Sequence, residues 1–496
     1  ISSGSIGTGA LNGGRDITLL ARSGALTSGA IGAVRDLSLT GVSVAATGLA
    51  TAGRDIAVQA TGGRLVLTGG ANAGDDLVLR ASGEISTSGS LLSGQIAGSD
   101  ANGVADVLAG STLIGGDIDF VGAGVNVLAL TAAGSDSDIR IDGGTLATTV
   151  GAVSAGQDVT ISGGSLGILS VSSGRDVTLL ARSGALNTGA ISAIRDLWLT
   201  GQSVNASGRL SAGRDIAARA TGGAIALAGA VAGDDIALRA TGQITSSAEL
   251  VSGQSPSLDQ NGVADALSGV SLVGNDIDIS GLGTNLGALS ANGAASDIRV
   301  DGGSASTTLG VVAAGQDVTL AGGSLTVGAI TSGRDLSLTS RTGALSLAQS
   351  TAARDLALTG VSVVASGNLT AGRDIAISAT GGNISLVGAS AGDDVVLRAT
   401  GSIAASSSIV SGAGTRIDED GVGDALAGGL VTGNDVDSTS TGGTFAAVTA
   451  NGGDSDVYIN SGTAALSVGV VNAGRDIDLD SAVVGTGALT AGRDVD

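Results

Sequence analysis

After Asp55 the chain alternates: Ile56, Val58 and Ala60 are separated by Ala57 and Gln59, and Thr61-Gly62-Gly63 ends the run. Leu65 and Leu67 follow, then Gly69-Gly70, then Ala71 and Ala73, then Gly74. Alternation with period two predicts strands that turn one face inward. The glycine clusters between them predict corners built on positive φ. A helical reading fails because glycine recurs too often to leave an uninterrupted helical stretch. Three short strands and three corners in about 20 residues describe one coil of a parallel β-helix.

The coil repeats. An Asp precedes each alternating run at Asp16, Asp36, Asp55, Asp76, Asp117, Asp138, Asp158 and Asp176, with spacings of 20, 19, 21, 41, 21, 20 and 18. The series restarts at Asp176 and again at Asp335, and Asp494 opens a fourth round. The chain therefore reads as one continuous β-helix over 1–496, with super-repeats 16–175, 176–334 and 335–493. A single coil cannot bury its own inner face, whereas stacked coils bury a continuous aliphatic column. Counting each 41-residue interval as two coils predicts eight coils per super-repeat and roughly 24 in all. At about 4.8 Å per strand spacing, that stack is on the order of 120 Å long.

Composition narrows the chemistry. Of 496 residues 87 are Gly and one is Pro; His, Cys and Met are absent. Without His or Cys there is no Ser-His-Asp or Cys-His centre, no thiolate or imidazole metal site and no disulfide. Four aromatics (Trp198, Tyr458, Phe120 and Phe445) cannot wall an ordinary ligand pocket. Their scarcity suits a coil cross-section too narrow for rings. The expectation is a chain that is not an enzyme, with no catalytic residue and no cofactor. A net charge of −22 disfavours nucleic acid and anionic membrane surfaces as partners. No apolar run approaches 18 residues, so no membrane insertion by this segment is expected. The chain opens at Ile1 without Met, which reads as a processed or excerpted piece.

The polar columns read as structural. Arg precedes the anchor Asp at Arg15, Arg35, Arg54, Arg175, Arg195, Arg214, Arg334, Arg354, Arg373, Arg475 and Arg493. The Asp is expected to cap corner N–H groups as an Asx-turn does, and the Arg column to offset repulsion between stacked carboxylates. A metal ladder along the Asp column is the alternative. Positions two and four after each anchor face outward, which predicts exposed ion pairs Asp119–Arg140 and Asp278–Arg299; Asp437 meets Tyr458 instead. Trp198, also at plus two, reads as an incidental surface aromatic or a contact residue.

Loops are predicted once per super-repeat, at 94–110, 253–269 and 412–428. Each carries an acidic core: Asp100-Ala101-Asn102-Gly103-Val104-Ala105-Asp106, Asp259-Gln260-Asn261-Gly262-Val263-Ala264-Asp265 and Asp418-Glu419-Asp420-Gly421-Val422-Gly423-Asp424. This core resembles half of a thrombospondin type 3 calcium loop. The resemblance makes Asp100, Asn102, Asp106, Asp259, Asn261, Asp265, Asp418, Asp420 and Asp424 calcium candidates. An Asn-Gly turn leading into a capped helical turn, Val104 to Leu108, accounts for the same residues.

Three phrases carry a wider resemblance: Ala52-Gly53-Arg54-Asp55-Ile56, Ala212-Gly213-Arg214-Asp215-Ile216 and Ala371-Gly372-Arg373-Asp374-Ile375. With the alternating aliphatics and Thr-Gly-Gly that follow, they are similar to the haemagglutinin repeats of filamentous-haemagglutinin-like bacterial adhesins. The resemblance covers essentially the whole chain. It implies a right-handed parallel β-helix, export by two-partner secretion and a place outside the bacterial cell. The role implied is a stalk or fibre for attachment, cell-cell adhesion or biofilm matrix. Its partners would be surface or matrix glycans and proteins, or other copies of itself. The alternatives from other classes are a β-helical polysaccharide-degrading enzyme and the stalk of a contact-dependent toxin-delivery protein. An ice-binding rod is disfavoured, because the outward positions hold no regular Thr-x-Thr ladder.

Overall fold

The computed structural model describes residues 1–95, 106–108, 111–113, 116–254, 265–267, 270–272, 275–413, 424–426, 429–431 and 434–496. Among these the protein is all-β, with no helix. Hence no helix is long and apolar enough to cross a membrane. Parallel strands stack as a β-solenoid of about 21 turns.

The chain packs as two compact units, residues 1–233 with 239–242, and residues 234–238 with 243–496. In the first, a coil runs through Ile56–Ala60, Leu65–Leu67 and Ala71–Ala73. Each strand pairs in parallel with its equivalent one coil earlier and one coil later. The inward residue after each anchor forms an unbroken ladder: Ile17, Leu37, Ile56, Leu77, Ile118, Ile139, Val159, Val177, Leu197 and Ile216. Every member is buried. Burial of this column stabilises the stack, at roughly 25 cal/mol per Å² of apolar surface. In several coils the second and third strands fuse, as in Val125–Ala132, Ala147–Ala155, Ser165–Ser173 and Leu186–Ala193.

The second unit repeats this plan. Val395–Ala399 pairs with Ile375–Ala379 before it and Val436–Thr439 after it. Fused strands recur at Ile403–Ser411 and Gly443–Ala450.

Three expectations need correction. First, each 41-residue interval is one coil and not two. Leu77 is in direct register with Ile118, and Val395 with Val436. Among the described residues of the interval, Asp106–Leu108 and Ser111–Leu113 pair with each other as a small antiparallel hairpin in a sheet of its own. The same hairpin recurs as Asp265–Leu267 with Val270–Leu272, and as Asp424–Leu426 with Gly429–Val431. Each super-repeat thus has seven coils, and Asp106–Leu108 is strand where a helical turn was expected.

Second, the corner glycines are mostly not there for positive φ, which only thirteen of the described glycines adopt. Gly53 shows the commoner cause: a Cβ there would run into the Val34 carbonyl oxygen of the preceding coil. Glycine is needed where backbone meets backbone at the coil spacing.

Third, rings are not excluded from the core. Phe120 and Phe445 are both fully buried inward residues. Room is made within the coil. Phe120 shares its coil with Val127, whereas in the third super-repeat Phe445 shares its coil with Ser438 at the Phe120 position.

Candidate functional site

Local geometry puts the anchor Asp at the corner entering the first strand, where its carboxylate points toward the next coil. There it accepts a hydrogen bond from the backbone N–H of the next anchor. Asp117 donates to Asp76 at 2.8 Å, Asp138 to Asp117 at 2.7 Å and Asp158 to Asp138 at 3.0 Å. The capping is therefore between coils, not the local Asx-turn expected, because the coil spacing brings the next N–H within reach.

The Arg before the next anchor then closes on the same carboxylate. Arg35 reaches Asp16 with Nε at 2.8 Å and Nη2 at 2.6 Å. Arg373 does the same to Asp355, at 2.8 and 2.6 Å. Arg175, Arg195, Arg214, Arg334, Arg354, Arg475 and Arg493 fork onto Asp158, Asp176, Asp196, Asp317, Asp335, Asp456 and Asp476. Planar two-point pairing is what a guanidinium offers and an ammonium does not. It accounts for every cation in this column being Arg and none Lys. The Arg35 fork holds the Asp16 carboxyl below its usual range, and the Arg334 fork does so for Asp317.

The ladder changes where Arg is replaced by Asp75 and Asp393. Asp75 and Asp76 are buried in the first unit, as are Asp393 and Asp394 in the second. Burial pushes Asp76 up to about 8, with its neighbours Asp75, Asp117 and Asp55 adding to the rise. Asp394 is pushed to about 8 for the same reason. Burial also lifts Asp55 to about 6, against the opposing charge of Arg54. At neutral pH Asp76 and Asp394 are therefore largely protonated, whereas Asp55 is largely ionised.

The predicted Asp119–Arg140 and Asp278–Arg299 pairs are corrected. Asp119 and Arg140 are in register, yet Asp119 is held from the coil before. Arg80 donates to both of its carboxylate oxygens, at 3.1 and 2.6 Å, and to its carbonyl at 3.2 Å. Arg140 turns back to Asp138 at 2.6 Å, and Arg299 to Asp297 at 2.5 Å. The diagonal wins because it offers Arg80 a main-chain acceptor as well as the carboxylate. Asp437 is in register with Tyr458, as expected, and is also held by Arg398. Trp198 is half-buried, in register between Thr178 and Ala217.

Of the calcium candidates, Asp100, Asn102, Asp259, Asn261, Asp418 and Asp420 lie outside the described residues. Asp106, Asp265 and Asp424 open the first strands of the three hairpins.

One feature is not signalled by the repeat. A surface depression of about 640 Å³ in the first unit is lined by sixteen residues, none of them ionisable. It follows the fused strands where second and third strand meet. Its polar edge is a register column of Asn126, Thr149, Gly167, Asn187 and Asn205. Its apolar edge alternates Leu128, Gly151, Leu169 and Gly189. The one trace in the sequence is a departure from the repeat: Leu128 and Leu169 correspond to Gly287 and Gly328 one super-repeat later. Only the stacking, however, places them side by side.

No protein-family model matches the chain, and no curated protein or solved structure is significantly similar to it.

Proposed function

We propose that this chain is a segment of a secreted bacterial surface fibre or adhesin, acting as a stalk or scaffold and not as a catalyst. The observation that carries the reading is the Arg–Asp ladder. Each forked pair ties one coil to the next, at the same place, in coil after coil. The guanidinium and carboxylate of each such pair are engaged in this repeated role. The buried acidic pairs Asp75–Asp76, Asp234–Asp235 and Asp393–Asp394 also recur, one in each super-repeat. A recurrent column suits a structural element, whereas a catalytic centre is normally unique. The acidic surface keeps such a segment soluble outside the cell. The family resemblance of the Ala-Gly-Arg-Asp-Ile phrases supports an extracellular location, attachment or matrix building as the task, and glycans, proteins or other copies as partners.

The test is made on the native source. Antibody raised against this chain is expected to label extended surface structures on intact cells. Protease treatment of whole cells is expected to remove the label. Label only after permeabilisation would reject the reading. So would turnover of an acidic polysaccharide lost on one Asp→Asn change.

A further inference from the structure

We infer that the charge-free depression of the first unit is a self-association face, taken by the same face of a second copy in antiparallel orientation. Leu128 and Leu169 are 58% and 69% exposed. The coil does not need them, since Gly287 and Gly328 fill the same places one super-repeat on. The intervening glycines are required, because a Cβ on Gly151 or Gly189 would strike the carbonyl oxygen of Leu128 or Leu169. Successive coils therefore present knob, notch, knob, notch.

That order is its own complement when reversed. Place a two-fold axis in the face, perpendicular to the stacking direction, between the coils of Gly151 and Leu169. Each leucine of one copy then faces a glycine of the other: Leu128 opposite Gly189, and Leu169 opposite Gly151. The same operation sets Asn126 opposite Asn187, and Thr149 opposite Gly167. Facing amides satisfy each other, each having both donor and acceptor. An isologous two-fold contact is the commonest way for a chain to pair with itself.

Charge singles out this face. Two copies at −22 each repel. Here none of the sixteen lining residues carries charge, so the copies can approach without stacking carboxylates. Sixteen residues fall short of the 20–30 a side of a standard interface. The association is accordingly weak and visible only as a concentration-dependent equilibrium. The inference goes beyond the stalk reading and does not depend on it: a monomeric chain would leave that reading standing.

Sedimentation velocity over rising concentration is expected to show a monomer–dimer equilibrium. The double variant Leu128→Gly, Leu169→Gly is expected to remain folded and monomeric, while Leu146→Ser, at an exposed leucine outside the face, dimerises as the parent does. Asn126→Asp with Asn187→Asp sets carboxylates against each other. It is expected to abolish the dimer at neutral pH and to regain it on acidification below the carboxylate range, which a folding defect would not do.

Orientation is read by cross-linking, with no background because the chain lacks cysteine. Asn126→Cys protein mixed with Asn187→Cys protein is expected to form disulfide-linked heterodimers on oxidation. Asn126→Cys alone is not, since its two sulfurs would sit three coils apart, about 14 Å. A chain monomeric at every concentration overturns the proposal. So does a dimer indifferent to the two leucines, or cross-linking by Asn126→Cys alone.

Discussion

The Arg54 guanidinium forks onto Asp36 of the preceding coil, Nε to Oδ1 at 2.8 Å and Nη2 to Oδ2 at 2.7 Å, while its Nε stays 3.2 Å from Asp55 of its own coil. One cation thus bridges two stacked anchors. Arg54→Ala is expected to destabilise the protein by about 1 kcal/mol, a modest amount because the pair is partly solvated. Arg54→Lys should restore only part of this, since an ammonium cannot fork. Urea midpoints of the three proteins measure it. Equal midpoints would mean that the bridge does not tie the coils.

The buried carboxyls make a pH signature of definite sign. Asp76 and Asp394 titrate near 8 in the folded chain, and Asp55 near 6. Unfolded, each titrates near 4. Between these values the folded state binds more protons, so stability falls as pH rises from about 4 to about 8. Carboxyls held low by Arg, such as Asp16 and Asp317, act oppositely and lose their contribution as pH falls below about 4. Stability is therefore expected to peak in mild acid. Asp76→Asn with Asp394→Asn, which keep an oxygen to accept from the N–H of Asp117 and Asp435, should flatten the profile between pH 4 and 8. Denaturation midpoints across that range decide it; an unchanged slope would count against these two groups.

The core offers a compensation test. Phe120 is fully buried, and Ser438 takes its place where Phe445 supplies the ring instead. Phe120→Ser is expected to cost about 3 kcal/mol or more, as large-to-small core changes do. Adding Val127→Phe, which recreates the Ser438 and Phe445 arrangement, should recover most of that loss. A double-mutant cycle by thermal unfolding reads the coupling. Additive losses would mean that the two positions do not share one space.

Arg80 and Asp119 close the coil from which the first hairpin departs. Their side chains are only 17% and 13% exposed. Arg80→Ala removes the guanidinium from a largely buried carboxylate, at an expected cost of about 2 kcal/mol, below the range for a fully buried pair. Hydrogen exchange should show faster opening of Ile118–Val121 than of Ile56–Ala60. Uniform exchange would place the loss elsewhere.

Alternation, coil length and the inward column were legible from the chain alone. Ile56, Val58 and Ala60 point inward because side-chain direction follows from period two, a property of neighbouring residues. The Arg column was legible as charge balance because each of its members immediately precedes an anchor Asp. The partner of each Arg was not. Arg80 reaches Asp119 at a separation of 39 residues, and Arg182 reaches Asp142 at 40. Those choices depend on reach between coils and on which main-chain oxygens lie nearby. Only stacking could also show that a 41-residue interval is one coil, because spacing does not reveal which residues leave the ladder. Stacking likewise decided why Gly53 must be glycine and how Phe120 fits. It alone set Leu128, Gly151, Leu169 and Gly189 in one line, since residues about 20 apart in sequence become neighbours only when the coils pack.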